Sequence, residues 1–195
     1  MIEWGVASRP HLGQPVSGDL HLVKQFEGGA LLAAVDGLGY GVEAAAAARI
    51  AVDTLEQGAR EAVDELVKRC HERLKGTRGV ALSLASVNEV EETMTWAGVG
   101  NVEGRLLHAD PNASPLRETL LLRGGVVGYQ LPKLHPSTIP IARGDVLILV
   151  TDGIRSGFDK DLVLSDPPQR IADHILAAYG KESDDDLVLV ARFAG

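Results

Sequence analysis

Three apolar runs in this chain touch aspartate at an end, and that recurrence is its first chemical signal. Leu31–Gly41 reads LLAAVDGLGYG, an apolar climb to Asp36 followed by Gly37, Gly39 and Gly41. Asp145–Gly153 reads DVLILVTDG and ends on Asp152-Gly153, while Asp184–Asp186 stands directly before the run Leu187–Val190. Asp and Gly are depleted inside strands. One such pair is satisfied by a plain Asp-Gly turn. Two pairs and a third acidic cluster point instead to carboxylates gathered at a sheet rim. Carboxylates that share a site repel one another unless a cation intervenes. Oxygen-only ligation selects Mg²⁺ or Mn²⁺ over zinc. Two such ions about 4 Å apart can bridge a water, lower its pKa and aim it at phosphorus.

Other chemistries fit the letters less well. Gly37-Leu38-Gly39-Tyr40-Gly41 lies between an apolar run and an alanine-rich segment, as a phosphate-cradling loop would. It lacks the Gly-Lys-Ser/Thr of a P-loop, and a dinucleotide fingerprint needs its third glycine one residue later. A histidine-kinase-type ATPase needs an upstream Asn, and no Asn precedes Asn88. Cys70 has Gly76, not Arg, six positions on, so a cysteine-phosphatase loop is missing. It falls on an apolar helix face and reads as a packing residue. Asp184–Val188 fits an aspartyl-nucleophile pattern but precedes a run where that pattern follows one. The six histidines, at positions 11, 21, 71, 108, 135 and 174, form neither HExxH nor a close pair. Glu89, Glu91 and Glu92 read as a solvated hairpin tip, and Trp4 and Trp96 as core residues.

The elements that would position these acids can be read from period and punctuation. Expected strands are Ile2–Ser8, Asp19–Glu27, Ala30–Val35, Gly79–Val87, Thr93–Val99, Val102–His108, Thr119–Leu122, Ser137–Ile141, Asp145–Thr151 and Leu187–Phe193. Ser137–Ile141 and Asp145–Thr151 read as a pair around Arg143-Gly144. Expected helices are Val42–Gln57, Arg60–Lys75 and about Pro168–Tyr179. In the second, Val63, Leu66, Val67, Cys70 and Leu74 make one face at period 3.6. Short turns between strands indicate antiparallel sheet with helices on its outer faces, an α+β fold. A length of 195 residues fits one domain over 1–195, with no long linker.

A formal charge of −8, from 19 basic and 27 acidic residues, argues against nucleic acid and against an anionic membrane surface as partners. The single cysteine excludes a disulfide framework and a cysteine-rich zinc site, which fits a reducing compartment. The amino terminus has no apolar core of signal-peptide length, and no run reaches the roughly 20 residues of a membrane span. A cytoplasmic location is expected.

Taken together, Ser17-Gly18-Asp19, VDGLGYG at 35–41 with EAAAAA after it, AGVGN at 97–101, GDVLILVTDGI at 144–154 and DDDLVLVA at 184–191 resemble the metal-dependent (PPM-type) serine/threonine protein phosphatases. The motifs keep the family order and span nearly the whole chain. The short chain and the DGLG(x)G form followed by alanines look most like the bacterial RsbX type, related to the SpoIIE and RsbU group, which acts on stressosome proteins.

The resemblance implies a four-layer αββα sandwich of two antiparallel sheets, with two Mn²⁺ or Mg²⁺ ions at one end. It makes Asp36 the bridging ligand, with the Gly37 carbonyl on one ion and Asp152 on the other. The last ligand falls on Asp185, with Asp186 in the same cluster and the register open by one among the three Asp. Asp19 holds metal-bound water, and a bridging hydroxide attacks the phosphoserine or phosphothreonine phosphorus in line. The implied substrate is a phosphorylated partner protein, of the STAS-domain stressosome kind (RsbS/RsbR-like). Gly98, Gly100 and Asn101 form a loop that reads either as a neighbour of this rim or as a tight turn. Two departures stand out. Gln14, Pro15 and Val16 occupy the place where many members carry a phosphate-binding Arg, which leaves that role to Arg9, and 104–145 is short for the usual flap. Asp159 and Asp161 are the candidates for a third metal. The alternatives are a nucleotide-binding module using Gly37–Gly41, or an inactive phosphatase-fold interaction protein.

Overall fold

In the computed structural model, which describes residues 1–194, the chain runs β1 (Ile2–Arg9), β2 (Asp19–Phe26), β3 (Gly29–Gly37), α1 (Val42–Gln57), α2 (Val63–Leu74) and β4 (Val80–Asn88). It continues through β5 (Thr93–Val99), β6 (Glu103–Leu107), β7 (Arg117–Thr119), β8 (Leu122–Arg123), β9 (Ser137–Pro140), β10 (Val146–Val150), α3 (Pro168–Tyr179) and β11 (Asp186–Phe193). One sheet has the order β1-β11-β10-β6-β7 and the other β2-β3-β4-β5-β8, with β9 also on β5. All pairings are antiparallel except the short β5–β8 pair.

Three apolar clusters stack between four layers. Leu66, Val67, Cys70 and Leu74 of α2 and the small residues Ala47, Ala48 and Ala51 of α1 pack on Leu31, Leu82 and Leu84 of one sheet. Leu32, Ala34, Met94, Trp96, Leu147 and Leu189 fill the space between the sheets. Ile171, Ala172 and Ile175 of α3 close the far face over Ile148, Val150 and Val190. The αββα sandwich is therefore as expected. β3 is buried along nearly its whole length because one of its faces meets α1 and the other meets the opposite sheet, so its sequence is continuous rather than alternating. Truncating Leu66→Ala should cost about 2–5 kcal/mol in denaturant unfolding, since the residue is fully enclosed between α2 and its sheet.

Three local expectations are corrected. The stretch expected as one strand at Thr119–Leu122 is two pieces: β7 ends at Thr119 in one sheet, and β8 starts at Leu122 in the other. The chain crosses between the layers there, with Leu120 buried at the crossing. Ser137–Ile141 and Asp145–Thr151 do not pair with each other. β9 joins β5, whereas β10 lies between β6 and β11. Trp96 is core, but Trp4 is 44% exposed. It sits on β1, an edge strand whose inner face the opposite sheet covers incompletely, and its ring tilts against His21.

Candidate metal and phosphate site

The strand ends bring the acids to one end of the sandwich. Asp19, the first residue of β2, is the cross-strand partner of Asp36 near the end of β3. Like charges placed directly opposite destabilise a sheet, so this pairing needs a purpose. β10 ends at Val150 against Val188 of β11, which sets Asp152 beside the entry into β11 at Asp184–Asp186. Close backbone approaches hold the corner. Gly37 donates its N–H to the Gly18 carbonyl at 3.1 Å, and a Cβ on Gly37 would collide with the Ala44 carbonyl of α1. A Cβ on Gly153 would collide with the Asp185 carbonyl and the Asp186 carboxylate. Gly153→Ala should therefore displace the 152–154 turn, and the expected readout is a lowered melting temperature together with lost metal affinity.

Asp36, Asp152 and Asp184 line a 260 Å³ cleft with Tyr40 and Asn101. The Asn101 side chain donates to Asp152 Oδ2 at 2.6 Å, so the 98–101 loop does reach the rim. Asp185 lies behind this cleft: its Oδ1 accepts the His11 N–H at 2.7 Å and its Oδ2 the Gly18 N–H at 2.9 Å. Asp186 is buried and bound by Arg9, whose Nε donates to Oδ2 at 3.0 Å. Arg9 also lies 3.5 Å from Glu182, so it is committed to carboxylates rather than open to a substrate. Asp159 is likewise committed, at 2.8 Å from Arg117. Cys70 is buried, and burial pushes its thiol up to about 12, in keeping with a packing role.

The electrostatics record the crowding. Burial, then the charge of Asp36, pushes the Asp19 carboxyl up to about 9; a hydrogen bond from the Thr151 hydroxyl acts against this. Burial and the charge of Asp152, then of Asp184, push Asp36 up to about 7. Asp152 is raised by burial and by Asp184, with Lys181 and Asn101 opposing. Asp19 Oδ2 is buried with no hydrogen-bond partner. Among the described residues, no three His, Cys, Asp or Glu side chains converge tightly enough to close on an ion as they stand. The carboxylates instead surround a shared space, with orphaned acceptor capacity and mutual repulsion. Hard cations relieve such a donor set, so the residues fit a divalent metal.

The sequence signalled Asp36 and Asp152 through their strand-end positions, and Asp19 through the family resemblance. Asp184 was present only as one of three consecutive acids. Lys181 and Tyr40 carried no signal beyond their side-chain types.

Comparison with known proteins bears on what this site does. Residues 27–193 match the family described as Stage II sporulation protein E (SpoIIE). Phosphoserine phosphatase RsbX of Bacillus subtilis (strain 168) is 31% identical over 144 residues, covering 73% of this chain and 69% of that protein. A solved structure described as "The bacterial stressosome: a modular system that has been adapted to control secondary messenger signaling" superposes with a TM-score of 0.89 at 32% identity, over 98% of this chain and 100% of that one. RsbX solved in complex with magnesium gives a TM-score of 0.87 at 23% identity, over 99% and 96% of the respective chains.

Proposed function

The chain belongs to the SpoIIE family of PP2C-type phosphatases, and from that premise we propose that it is a Mn²⁺- or Mg²⁺-dependent protein serine/threonine phosphatase acting on a phosphorylated stressosome partner of the STAS-domain type. The observation that carries the metal dependence is the meeting of Asp19, Asp36, Asp152 and Asp184 from four separate strand ends, with Lys181 as the opposing cation. The magnesium complex of RsbX and the stressosome setting of a 32%-identical structure support the cofactor and the context. We read residues 1–195 as one phosphatase domain without a large flap, in keeping with the three continuous cores.

The ligand set we assign is Asp36, Asp152, the Gly37 carbonyl and Asp184, with Asp19 behind them. We place Asp184 at the third position because it lines the cleft with Asp36 and Asp152, whereas Asp185, whose charge also bears on Asp36 and Asp19, has both carboxylate oxygens bonded to the 9–18 loop and Asp186 is bound by Arg9. When bound, divalent cations let these carboxylates ionise together and activate a water for attack on phosphorus. The chain's own residues set the stage for that chemistry. Asn101 orients Asp152 by its 2.6 Å bond. Thr151 accepts the Leu187 N–H at 2.9 Å, and its hydroxyl lies near enough to Asp19 to favour the charged carboxylate. Tyr40, stacked on His11 with ring centroids 5.0 Å apart, walls one side of the cleft.

The cleft is small and continues past Asn101 and Asp152 into a broader groove, so it should recognise a docked protein better than a free peptide. The test compares a phosphorylated STAS-domain protein with a phosphoserine peptide cut from it. A kcat/KM at least ~100-fold higher on the folded protein is expected. Equal rates on both would refute the docking part of this reading.

A further inference from the structure

Beside the acid cleft runs a broad groove of 890 Å³ that shares Asn101 and Asp152 with it. The groove has an apolar floor, including Leu120, Leu122 and Ile154, and three cations on its walls: Arg105, Arg155 and Lys181. Arg105 is already satisfied, at 2.8 Å from Glu103 and stacked on the Phe158 ring. Arg155 and Lys181 are different. Both are exposed, and among the described residues neither has a carboxylate at ion-pair distance. The Arg155 guanidinium donates to the Ala178 carbonyl at 2.9 Å, and the Lys181 ammonium rests on the Asp152 carbonyl.

Their placement is built into the backbone. Ile154 and Gly180 form an isolated antiparallel bridge. The Arg155 N–H donates to Tyr179 at 2.9 Å, and the Lys181 N–H donates to Gly153 at 2.9 Å. These two hydrogen bonds, which make up the bridge, clamp the turn after β10 to the loop after α3, and they present both cations from one corner at the mouth of the acid cleft. An anion entering that cleft meets Asp36, Asp152 and Asp184. With divalent ions bound these acids are offset, and at physiological salt, where screening acts over about 8 Å, only nearby charges such as cations at the rim add to the attraction.

We propose that Arg155 and Lys181 form the phosphate-receiving edge of the site: they bind the phosphate dianion of the phosphoserine substrate where the groove meets the cleft. Arg155 supplies a planar fork suited to two phosphate oxygens, and Lys181 a compact charge next to Asp152. The assignment rests on the phosphatase reading above and fills the role that Arg9, bound to Asp186 and Glu182, does not take.

The test uses the full chain with Mg²⁺ and a phosphoserine peptide beside its unphosphorylated counterpart. Binding is followed by NMR titration and turnover in parallel, for wild type, Lys181→Gln, Arg155→Gln, Arg155→Lys and, as a control, Arg170→Gln on the exposed face of α3. Each glutamine variant should weaken phosphopeptide binding and raise KM by about tenfold, with kcat within about threefold, magnesium affinity undiminished and binding of the unphosphorylated peptide unchanged. Arg155→Lys should recover part of the loss, and Arg170→Gln should match wild type. Unchanged phosphopeptide affinity in both glutamine variants would overturn the proposal while leaving the phosphatase reading intact. A wild-type chain that binds the phosphopeptide through these residues but does not turn it over would sustain the proposal and count against the phosphatase reading.

Discussion

Asp36→Asn is expected to remove phosphatase turnover by about 10³-fold, the scale on which one preorganised electrostatic group acts, and at the same time to stabilise the metal-free protein. Both effects have the same cause. Asp36 is the cross-strand partner of Asp19 and faces Asp152 and Asp184, so its charge raises the proton affinity of its neighbours while theirs raises its own. Without a cation that arrangement is a net repulsion in a half-buried corner; an amide of the same shape relieves it. The variant should melt about 2–4 °C higher than wild type in EDTA, corresponding to roughly 1 kcal/mol in a domain of this size. It should also lose the heat of metal binding in calorimetry. A variant that kept metal binding and turnover would show that Asp36 is not a ligand, and one that melted lower would show that the acids do not oppose folding.

The second large effect is a pH dependence that the metal should abolish. Asp19 and Asp36 both hold their protons more tightly in the folded chain than in the unfolded one, where a carboxyl titrates near 3.8. Between that value and about 9 the folded state therefore carries the extra protons, and its stability falls as the pH rises. The contribution is fully present below the ordinary carboxylate range and is lost on the way up through about 7 for Asp36 and about 9 for Asp19. In EDTA the melting temperature should drop by about 5–10 °C from pH 5.5 to pH 8.5. With Mn²⁺ or Mg²⁺ at about 100 times its dissociation constant, binding adds about 2.7 kcal/mol. The profile should then flatten, because the cations take the place of the protons. A metal-free profile that rises over this window would contradict the crowded-carboxylate account.

How far the sequence disclosed this follows from what each residue type depends on. The helix Val42–Gln57 and the apolar face Val63–Leu74 were legible because local period and glycine punctuation alone define them. Asp36 and Asp152 were legible because an Asp-Gly pair closing an apolar strand is a local contradiction that only function resolves. The three acids at 184–186 were not separable. Alternation along a strand sends neighbouring side chains to different sides, and the register that chooses between them is fixed by contacts with Arg9, His11 and Gly18, more than 160 residues away. The break at Leu120 was hidden for a similar reason, since Thr119–Leu122 has the composition of one strand and only the two-sheet topology divides it. Arg155 and Lys181 had no signature at all. As single basic residues in loops they read as surface charge, and the bridge between Ile154 and Gly180 is what makes them one corner.

The most direct test of the central claim is hydrolysis of a phosphoserine protein by the wild-type chain with Mn²⁺, with Mg²⁺ and after EDTA. Turnover that requires either ion, disappears in EDTA and returns when the ion is restored is the predicted result. Equal turnover in EDTA, or a chain that binds neither ion and releases no phosphate, would contradict the account.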